Sequence, residues 1–469
     1  MNGNPVIKHP NADNNRQLLK LALIAIIILL LLIPVAWINS IIRERYQRKE
    51  SVVSEIAGKW GASQIVSGPF ISVPYSVFVK SVDENNKLSS VETTRYLHFA
   101  ADSLKINGDI STVTHKRGIF KVTGYKAELD LAADFSACVP ENPAHTELPL
   151  RWNEALLSFD LDDQRGLKEI DGSINGKPLV FNRSEGVLSV SSLPETPDLK
   201  GTFSGYRGES KVEKQTEFKL AAKLPLDCNA NATSVRMRVS ITGTQQINLA
   251  SSALQESVHL KGDWPSPSFI GDMLPDQRSV DSEGFTASWR SNNLNSGIKK
   301  NWSGDEPMLQ LSNLGVNFLI MVDSYQQTTR ALKYAMLFLI LTFMTFFFAE
   351  IMANQKIHPI QYLMVGCGLL VFYLLLLSIS EHIAFGYAYL IAATGVILQI
   401  SLYCCSILKT RKFALQVGAL LSFLYIFLYI LLRLQDNALL IGSISLFILL
   451  SLAMYIIRNV NWYRSEQDM

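Results

Sequence analysis

Hydrophobic and polar residues follow three different patterns along this chain. An almost unbroken apolar run, LALIAIIILLLLIPVAWI, covers residues 21–38. Between about residues 64 and 290 apolar residues mostly alternate with polar ones, and over residues 330–457 long apolar runs return. Alternation is typical of strands with one buried face, whereas apolar runs near 20 residues predict transmembrane helices. The pattern predicts a mixed membrane protein with a β-rich domain between helical segments.

The first apolar run predicts a transmembrane helix over residues 18–40, after a disordered polar tail at residues 1–17. Arg16 and Lys20 precede the run, as they would in a cleaved signal peptide. A signal peptide, however, usually has a shorter apolar region of about 7–15 residues and a small-x-small cleavage site. We interpret the run as a retained signal-anchor helix, followed by a charged helix over residues 43–59.

Residues 41–329 are predicted to form a large, mainly-β domain. Segments such as QIVSGPFISVPYSVFVK and GIFKVTGYKAELDLAADF alternate or are β-branched, and Asn175-Gly176 is a strong hairpin-turn signal. Single cores seldom grow beyond about 250–300 residues, so the domain could be one body or two β lobes. The Pro-rich stretches at 139–149 and 193–200 are the candidate joints between such lobes.

The C-terminal part predicts a bundle of five further transmembrane helices within residues 330–457. We place the spans at about 332–352, 360–380, 384–408, 413–432 and 438–457. The loops between them are short, which makes consecutive helices antiparallel neighbours. With the first anchor this gives six spans, so both termini, including a tail at 458–469, lie on one side of the membrane.

Basic residues in the short loops set the expected orientation. With the N-terminus in the cytoplasm, the outer short loops between the C-terminal spans hold only Arg433. The inner loops and tails hold Lys8, Arg16, Lys20, Lys356, Lys409, Arg411, Lys412, Arg458 and Arg464. The four cations at positions 43, 45, 48 and 49 disagree, but long domains translocate largely regardless of charge. The β domain is therefore expected outside the cytoplasm.

Overall charge and cysteine use exclude several classes of protein. The chain has a formal net charge of +2 and no basic run interleaved with aromatic residues, so no nucleic-acid partner is expected. None of the five cysteines has CxxC or zinc-ligand spacing, and we expect neither a metal nor a cofactor. Cys138 and Cys228 in the β domain could form a disulfide or remain as buried thiols.

Four ionisable residues near the ends of the predicted membrane helices are candidate functional residues: Glu350, His358, Glu381 and His382. Ionisable groups in membrane helices often belong to proton relays or substrate paths. At helix ends, however, such groups more often reach the headgroups or cap the backbone. His358 and Glu381 would lie some 30 Å apart at about 1.5 Å per helical residue, so they cannot share one site.

The mid-span polar residues are predicted to make interhelical hydrogen bonds rather than to line a path: Thr342, Thr345, Gln399 and Ser401. In the β domain, WPSPSFIGDMLPDQR (264–278) is the most unusual stretch. Trp264 and Phe269 could form a surface for a ligand or protein, or the stretch could be an edge strand or plug. The serines lack a GxSxG pattern, and no catalytic set stands out.

Several of these segments resemble the CreD family of bacterial inner-membrane proteins. The resemblance rests on RALKYAMLFLILTFMTFFFAE (330–350), HPIQYLMVGCGLLVFYLLLLSISEHIAFGYAYLIAA (358–393), WPSPSFIGDMLPDQR, GFTASW (284–289) and SGPFISVPY (67–75). It implies a cell-envelope integrity protein of Gram-negative bacteria that is controlled by an envelope or antibiotic stress response. The family supplies no reaction, substrate or cofactor, so it implies no catalytic residue.

Three functional hypotheses remain open from the sequence. The first is a non-enzymatic inner-membrane protein whose periplasmic β domain binds or scaffolds an unidentified envelope protein or ligand, with the lipid bilayer around its helices. The second is a transporter or flippase-like protein that uses Glu350, His358 and Glu381. The third is a membrane enzyme acting on lipid or cell-wall precursors near Glu381 and His382.

Overall fold

The structure is a computed structural model that divides into two compact units. It describes residues 11–82, 88–136, 148–185, 218–224, 232–303, 312–318, 324–353, 357–408 and 411–433, with isolated positions between 440 and 454. Residues 1–49 and 322–469 form one unit, here called the helical unit, and residues 50–321 form the β unit.

The first helix, α1, is longer than the sequence predicted. It runs without a break over Asn11–Trp60, through Pro34. The predicted tail is helical from Asn11, because adding turns to an existing helix avoids the cost of nucleation. The anchor and the charged segment also join into one helix, since a proline is tolerated within a membrane helix. The helix ends just before Gly61, whose φ of 131° is open to glycine but strained for other residues.

One stripe of α1 is buried in the helical unit. Ile24, Leu31 and Ile38 follow one another at seven-residue spacing, and each is less than a tenth exposed. A seven-residue repeat keeps one seam of a helix in contact with its neighbours. On the facing helix Gly366 makes room for Leu31, because a Cβ at that glycine would collide with the leucine side chain. The remaining sides of α1 expose large apolar residues, among them Ile33 and Trp37.

The described strands of the β unit form two sheets, as the alternating pattern predicted. Sheet A has nine strands: β1 (Gln64–Val82), β2 (Leu88–Phe99), β5 (Leu156–Leu161), β8 (Phe181–Glu185), β9 (Phe218–Lys223), β11 (Gln246–Ala250), β13 (Ser268–Gly271), β16 (Asn301–Ser303) and β17 (Asn313–Asn317). Its order is β13-β17-β11-β1-β5-β9-β8, with β2 between β1 and β16.

Sheet B has eight strands: β3 (Ala101–Arg117), β4 (Phe120–Phe135), β6 (Leu167–Ile174), β7 (Lys177–Leu179), β10 (Thr233–Thr244), β12 (Ala253–Gly262), β14 (Gln277–Val280) and β15 (Phe285–Asn292). Its order is β14-β15-β12-β3-β4-β10-β6-β7. The predicted hairpin is confirmed, because Ile174 pairs with Lys177 and both intervening residues, Asn175 and Gly176, have positive φ. Two positive φ values define the turn that matches the twist of a hairpin.

One hydrophobic core takes side chains from both sheets, including Phe159 of sheet A and Leu129 and Trp289 of sheet B. Each sheet contains strands from both the N-terminal and the C-terminal part of the β unit, since β1 pairs with β11 and β3 pairs with β12. The described strands therefore form a single two-layer body rather than two successive lobes. Long-range pairing joins strands that lie on either side of the Pro-rich stretches, and a local pattern does not reveal such pairing. Residues 139–147 and 193–200 themselves lie outside the described residues.

The helices after the β strands begin with a short segment, α2 (Asn293–Ser296), that still belongs to the β unit. The helical unit continues with α3 (Ser324–Lys333), α4 (Ala335–Ala353), α5 (Pro359–Ser380), α6 (Phe385–Leu408) and α7 (Arg411–Arg433). The sequence predicted one span at 332–352, but the structure bends by 42° between α3 and α4. Of the described helices, four are long and apolar enough to cross a membrane, or five if the bent pair is one span. Most of the predicted last span, 438–457, lies outside the described residues.

Candidate functional site

Glu350, near the end of α4, lies in a polar cluster with residues from two other segments. Lys20 of α1 forms an ion pair with its carboxylate, and the same ammonium donates a hydrogen bond to the Ile357 carbonyl at 2.9 Å. The Tyr362 hydroxyl donates to the other carboxylate oxygen at 3.2 Å. The Lys20 and Glu350 side chains are only 22% and 13% exposed. A carboxylate and a cation at such low exposure compensate each other, so the cluster ties α1 to α4 and α5.

Glu381 lies at the other end of α5, where it is the C-cap residue. The Tyr325 hydroxyl of α3 donates to its Oε1 at 2.9 Å, and the Arg45 Nε of α1 lies 3.9 Å from the same oxygen. The Glu381 side chain is 10% exposed, whereas that of Arg45 is 51% exposed. This second tie is longer and more solvated than the first, which makes it the weaker of the two.

The two candidate histidines interact with the backbone of α5. His358 is the N-cap: its Nδ1 accepts from the Ile360 amide at 3.3 Å, and the Gln361 side chain accepts from the His358 amide at 3.1 Å. His382 Nδ1 is 3.1 Å from the Ser378 carbonyl, so this nitrogen carries the proton in that contact. The structure therefore brings His358 and His382 to opposite ends of one 22-residue helix.

Sequence reasoning missed the partners of both glutamates. The sequence analysis treated Lys20 and Arg45 as basic residues next to the first apolar run and gave them no partner, and it did not consider Tyr325 or Tyr362. The Lys20–Glu350 pair is separated by 330 positions. A single sequence, without related sequences, does not indicate which residues form such a distant contact. A lysine beside a long apolar run indicates only that the lysine needs a polar partner.

The predicted interhelical hydrogen bonds of the mid-span polar residues are not formed among the described residues. Thr345 donates to the Leu341 carbonyl of its own helix at 2.8 Å, as threonines in helices commonly do. The Thr342 and Ser401 hydroxyls are buried, and no hydrogen-bond partner for either lies among the described residues. Gln399 is exposed on the surface of α6.

In the β unit, the last turn of α1 is fixed to the strands by polar contacts. The Thr242 hydroxyl donates to the Trp60 carbonyl at 2.7 Å, and the Asp163 carboxylate accepts from the Ala62 amide at 2.8 Å. Burial alone would raise the pKa of Asp163. The hydrogen bonds from Arg165 and from the Ala62 amide outweigh this effect and hold the pKa below its usual value. Trp60 also packs on the His115 ring at a centroid distance of 4.6 Å.

Glu256 is the buried carboxyl group of the β unit that stands apart from these pairs. Its Oε2 accepts from the Ser251 and Ser291 hydroxyls at 2.9 and 3.3 Å, while its Oε1 has no partner among the described residues. Burial raises the pKa of Glu256 to about 7, against the opposing effect of these hydroxyls and of the Ser252 backbone. The sequence singled out neither this residue nor its serines.

A second buried polar cluster of the β unit contains a histidine and two serines. The Ser72 hydroxyl lies 2.8 Å from His98 Nδ1 and 2.8 Å from the Ser158 hydroxyl. Ser72 and Ser158 have no exposed surface and His98 is 2% exposed. A serine beside a histidine can serve as a nucleophile, but these side chains are closed off from a substrate in this conformation.

Trp264 and Phe269 are partly buried at the edge of the core rather than freely exposed. Phe269 of β13 lies with its ring centroid 6.0 Å from Phe285 and 5.9 Å from Trp289 of sheet B. The Trp264 Nε1 donates to the Ser266 carbonyl at 3.0 Å. The exposed apolar residue of this stretch is Leu274, at 70%. The possible disulfide between Cys138 and Cys228 lies outside the described residues.

A family model and a related protein of known sequence both indicate the same family. The family described as "Inner membrane protein CreD" matches residues 16–463. The inner membrane protein CreD of Escherichia coli is 30% identical over 451 residues, which cover 93% of this chain and 91% of that protein. Among solved structures, an M1 zinc metallopeptidase of Deinococcus radiodurans bound to a Tyr-Ser-Ala substrate aligns with 10% identity and a TM-score of 0.20. That alignment covers 47% of this chain and 42% of the peptidase, and so low a TM-score does not indicate a common fold. The chain belongs to the CreD family of inner membrane proteins.

Proposed function

We propose that this protein supports the integrity of the cell envelope without catalysing a reaction, through a β unit on the periplasmic side that binds an envelope protein. Both termini would then be cytoplasmic. The family match supports an inner-membrane protein, and the distribution of basic loop residues supports this orientation. The two sheets of the β unit share one hydrophobic core, which supports a folded domain that can present a binding surface.

The observation that carries the binding proposal is the edge strand of sheet B. β14 pairs only with β15 in the sheet order, and all four of its residues are exposed. Val280, the last residue of the strand, is 46% exposed, and Leu274, which precedes the strand by three positions, is 70% exposed. An edge strand with free backbone groups and apolar neighbours can accept a strand from a partner. Trp264 and Phe269 would support this edge through their contacts with the core.

Charge substitutions at the edge test this proposal in a strain that lacks the chain. The native chain should restore the barrier of the envelope to a normally excluded dye. The Leu274→Glu and Val280→Glu double variant should not restore it, because two carboxylates oppose the docking of an apolar partner. Val180→Glu is the matched control, since Val180 is 74% exposed in the same unit but away from β14. Full restoration by the double variant, at normal abundance, would contradict the proposal.

A transport function is the second candidate, because two carboxylates lie at low exposure in the helical unit. Each carboxylate already forms an ion pair with a cation of α1. A structural role in joining the helices is therefore sufficient to explain why these carboxylates are there. Glu350→Gln and Glu381→Gln variants, with His382→Ala beside them, distinguish the candidates. Loss of envelope function with normal folding and insertion would favour transport. Retained function would favour the binding role.

A further inference from the structure

Gln399 places an uncompensated amide on the outer surface of a membrane helix. It is the fifteenth residue of α6, so its Cα lies about 21 Å from the start of the helix and about 14 Å from its end. Both distances exceed the reach of the side chain, which keeps the amide inside the hydrocarbon layer. Polar groups exposed to lipid are costly, because lipid offers no hydrogen-bond partner.

The two sides of α6 differ sharply. The side that packs against α5 and α7 buries Ala388, Ala392, Val396 and Ile400. The opposite side exposes Tyr387, Ile391, Leu398 and Leu402, and the exposed residues Gly395 and Gln399 lie on the flank of this apolar surface. The six residues together are here called the α6 outer face. A Cβ at Gly395 would meet no atom within 4 Å, so the backbone is open to close approach at that point.

Other described segments of the chain lie elsewhere in the helical unit. α1 contacts α4 and α5 through Lys20 and Leu31. Beyond α7, the described position Gly442 lies near Tyr334, since a Cβ there would be 3.8 Å from the tyrosine hydroxyl. Tyr334 is the residue between α3 and α4. Gly442 therefore lies beside the α3–α4 bend.

We propose that the α6 outer face binds the same face of a second copy of this protein, with the two Gln399 amides hydrogen-bonded to each other. Copies in one membrane share their orientation, so a two-fold axis along the membrane normal brings identical residues together. A glutamine amide has both a donor and an acceptor, and two of them can exchange two hydrogen bonds reciprocally. Gly395 lies one turn from Gln399 and lets the two backbones approach, as small residues do at membrane helix contacts.

Energy transfer between fluorescent copies of the full chain tests the contact. Donor- and acceptor-labelled proteins are reconstituted together in vesicles of phosphatidylethanolamine and phosphatidylglycerol, over a range of protein-to-lipid ratios. The native chain should show transfer that fits a dimer. Gln399→Leu should weaken the association by about 3- to 30-fold, which is the contribution expected of hydrogen bonds between membrane helices. Gly395→Ile should weaken it as well, because the branched side chain separates the backbones.

Two further variants make the result specific. Gln399→Asn keeps an amide and should retain most of the association. Phe423→Leu alters a 57% exposed apolar residue of α7 and should leave the association unchanged. A native chain that stays monomeric at every ratio would overturn the proposal and would point instead to a helix of a different protein. A dimer that is indifferent to both Gln399→Leu and Gly395→Ile would also overturn it.

Discussion

Glu350 in the helical unit and Glu256 in the β unit are both buried, but the chain accommodates them in different ways. Glu350 has the ammonium of Lys20 and the hydroxyl of Tyr362 as partners. Glu256 has the Ser251 and Ser291 hydroxyls and the Ser252 backbone as partners, and its Oε1 has no hydrogen bond among the described residues. A nearby cation offsets the cost of burying a carboxylate, whereas a buried carboxyl group without a cation resists ionisation.

The comparison indicates that charged groups affect the stability of the two units in different ways. In the helical unit, ion pairs join α1 to residues that follow it by more than 300 positions. In the β unit, a single acid is held where its charged form is disfavoured. We therefore expect the stability of the helical unit to fall when one member of an ion pair is removed. We expect the stability of the β unit to depend on pH.

The largest effect is expected for Lys20→Ala, which leaves Glu350 with little exposure and without its cation. We expect a loss of about 3 kcal/mol in the free energy of unfolding, at the low end of the range for buried pairs because some solvent contact remains. Denaturation of the full chain in mixed detergent micelles measures this. Adding Glu350→Gln should recover much of the loss. No recovery would show that the pair does not account for the effect.

A smaller and pH-dependent effect is expected for Glu256→Gln. The pKa of Glu256 is about 7 in the folded chain, above the ordinary value of 4.5. Between these values the folded state holds a proton that the unfolded state has lost, so the native chain loses stability as pH rises from about 4.5 through about 7. We expect Glu256→Gln to be more stable than the native chain by about 2 kcal/mol at pH 8 and nearly equal at pH 5.

Thermal unfolding of the two full chains at both pH values, followed by tryptophan fluorescence, measures the difference. Asp163 is a suitable comparison because its pKa is shifted downwards, and its stabilising contribution is lost only in acid. Equal pH dependence of the native and Glu256→Gln chains would show that Glu256 does not titrate in the folded state near neutral pH.

The smallest effect is expected for Arg45→Ala, the counterpart of Lys20→Ala at the other end of α5. The Arg45 side chain is half exposed and its Nε is 3.9 Å from Glu381, which keeps the Tyr325 hydrogen bond. We expect a loss of less than about 1 kcal/mol in the same denaturation experiment. A loss equal to that of Lys20→Ala would remove the distinction between the two ties.

Local patterns predicted much of the fold because they report local physics. Alternation located the strands of the β unit, and Asn175-Gly176 located a hairpin whose turn requires positive φ. Long apolar runs located the membrane helices for the same reason. The ends of α1 and the bend at Tyr334 were not predicted, because they depend on helix propagation and on packing against neighbouring helices.

The candidate site was predicted only in part. Ionisable residues beside apolar runs stand out in a sequence, and Glu350 and Glu381 were recognised in this way. Their partners, Lys20 and Arg45, come from the far end of the chain and have no local signal. Glu256 lies within an ordinary alternating strand, where only the three-dimensional structure shows that its face is buried.

The orientation of the β unit is the central claim, and accessibility of single cysteines in intact cells tests it most directly. Asp171 is exposed in the β unit, and Lys356 and Lys409 lie between membrane helices. With the native cysteines replaced, an impermeant thiol reagent should label a cysteine at Asp171 from outside the inner membrane. Cysteines at the two lysine positions should react only after the membrane is opened. Labelling at the lysine positions, with protection at Asp171, would place the β unit in the cytoplasm and contradict the proposed envelope function.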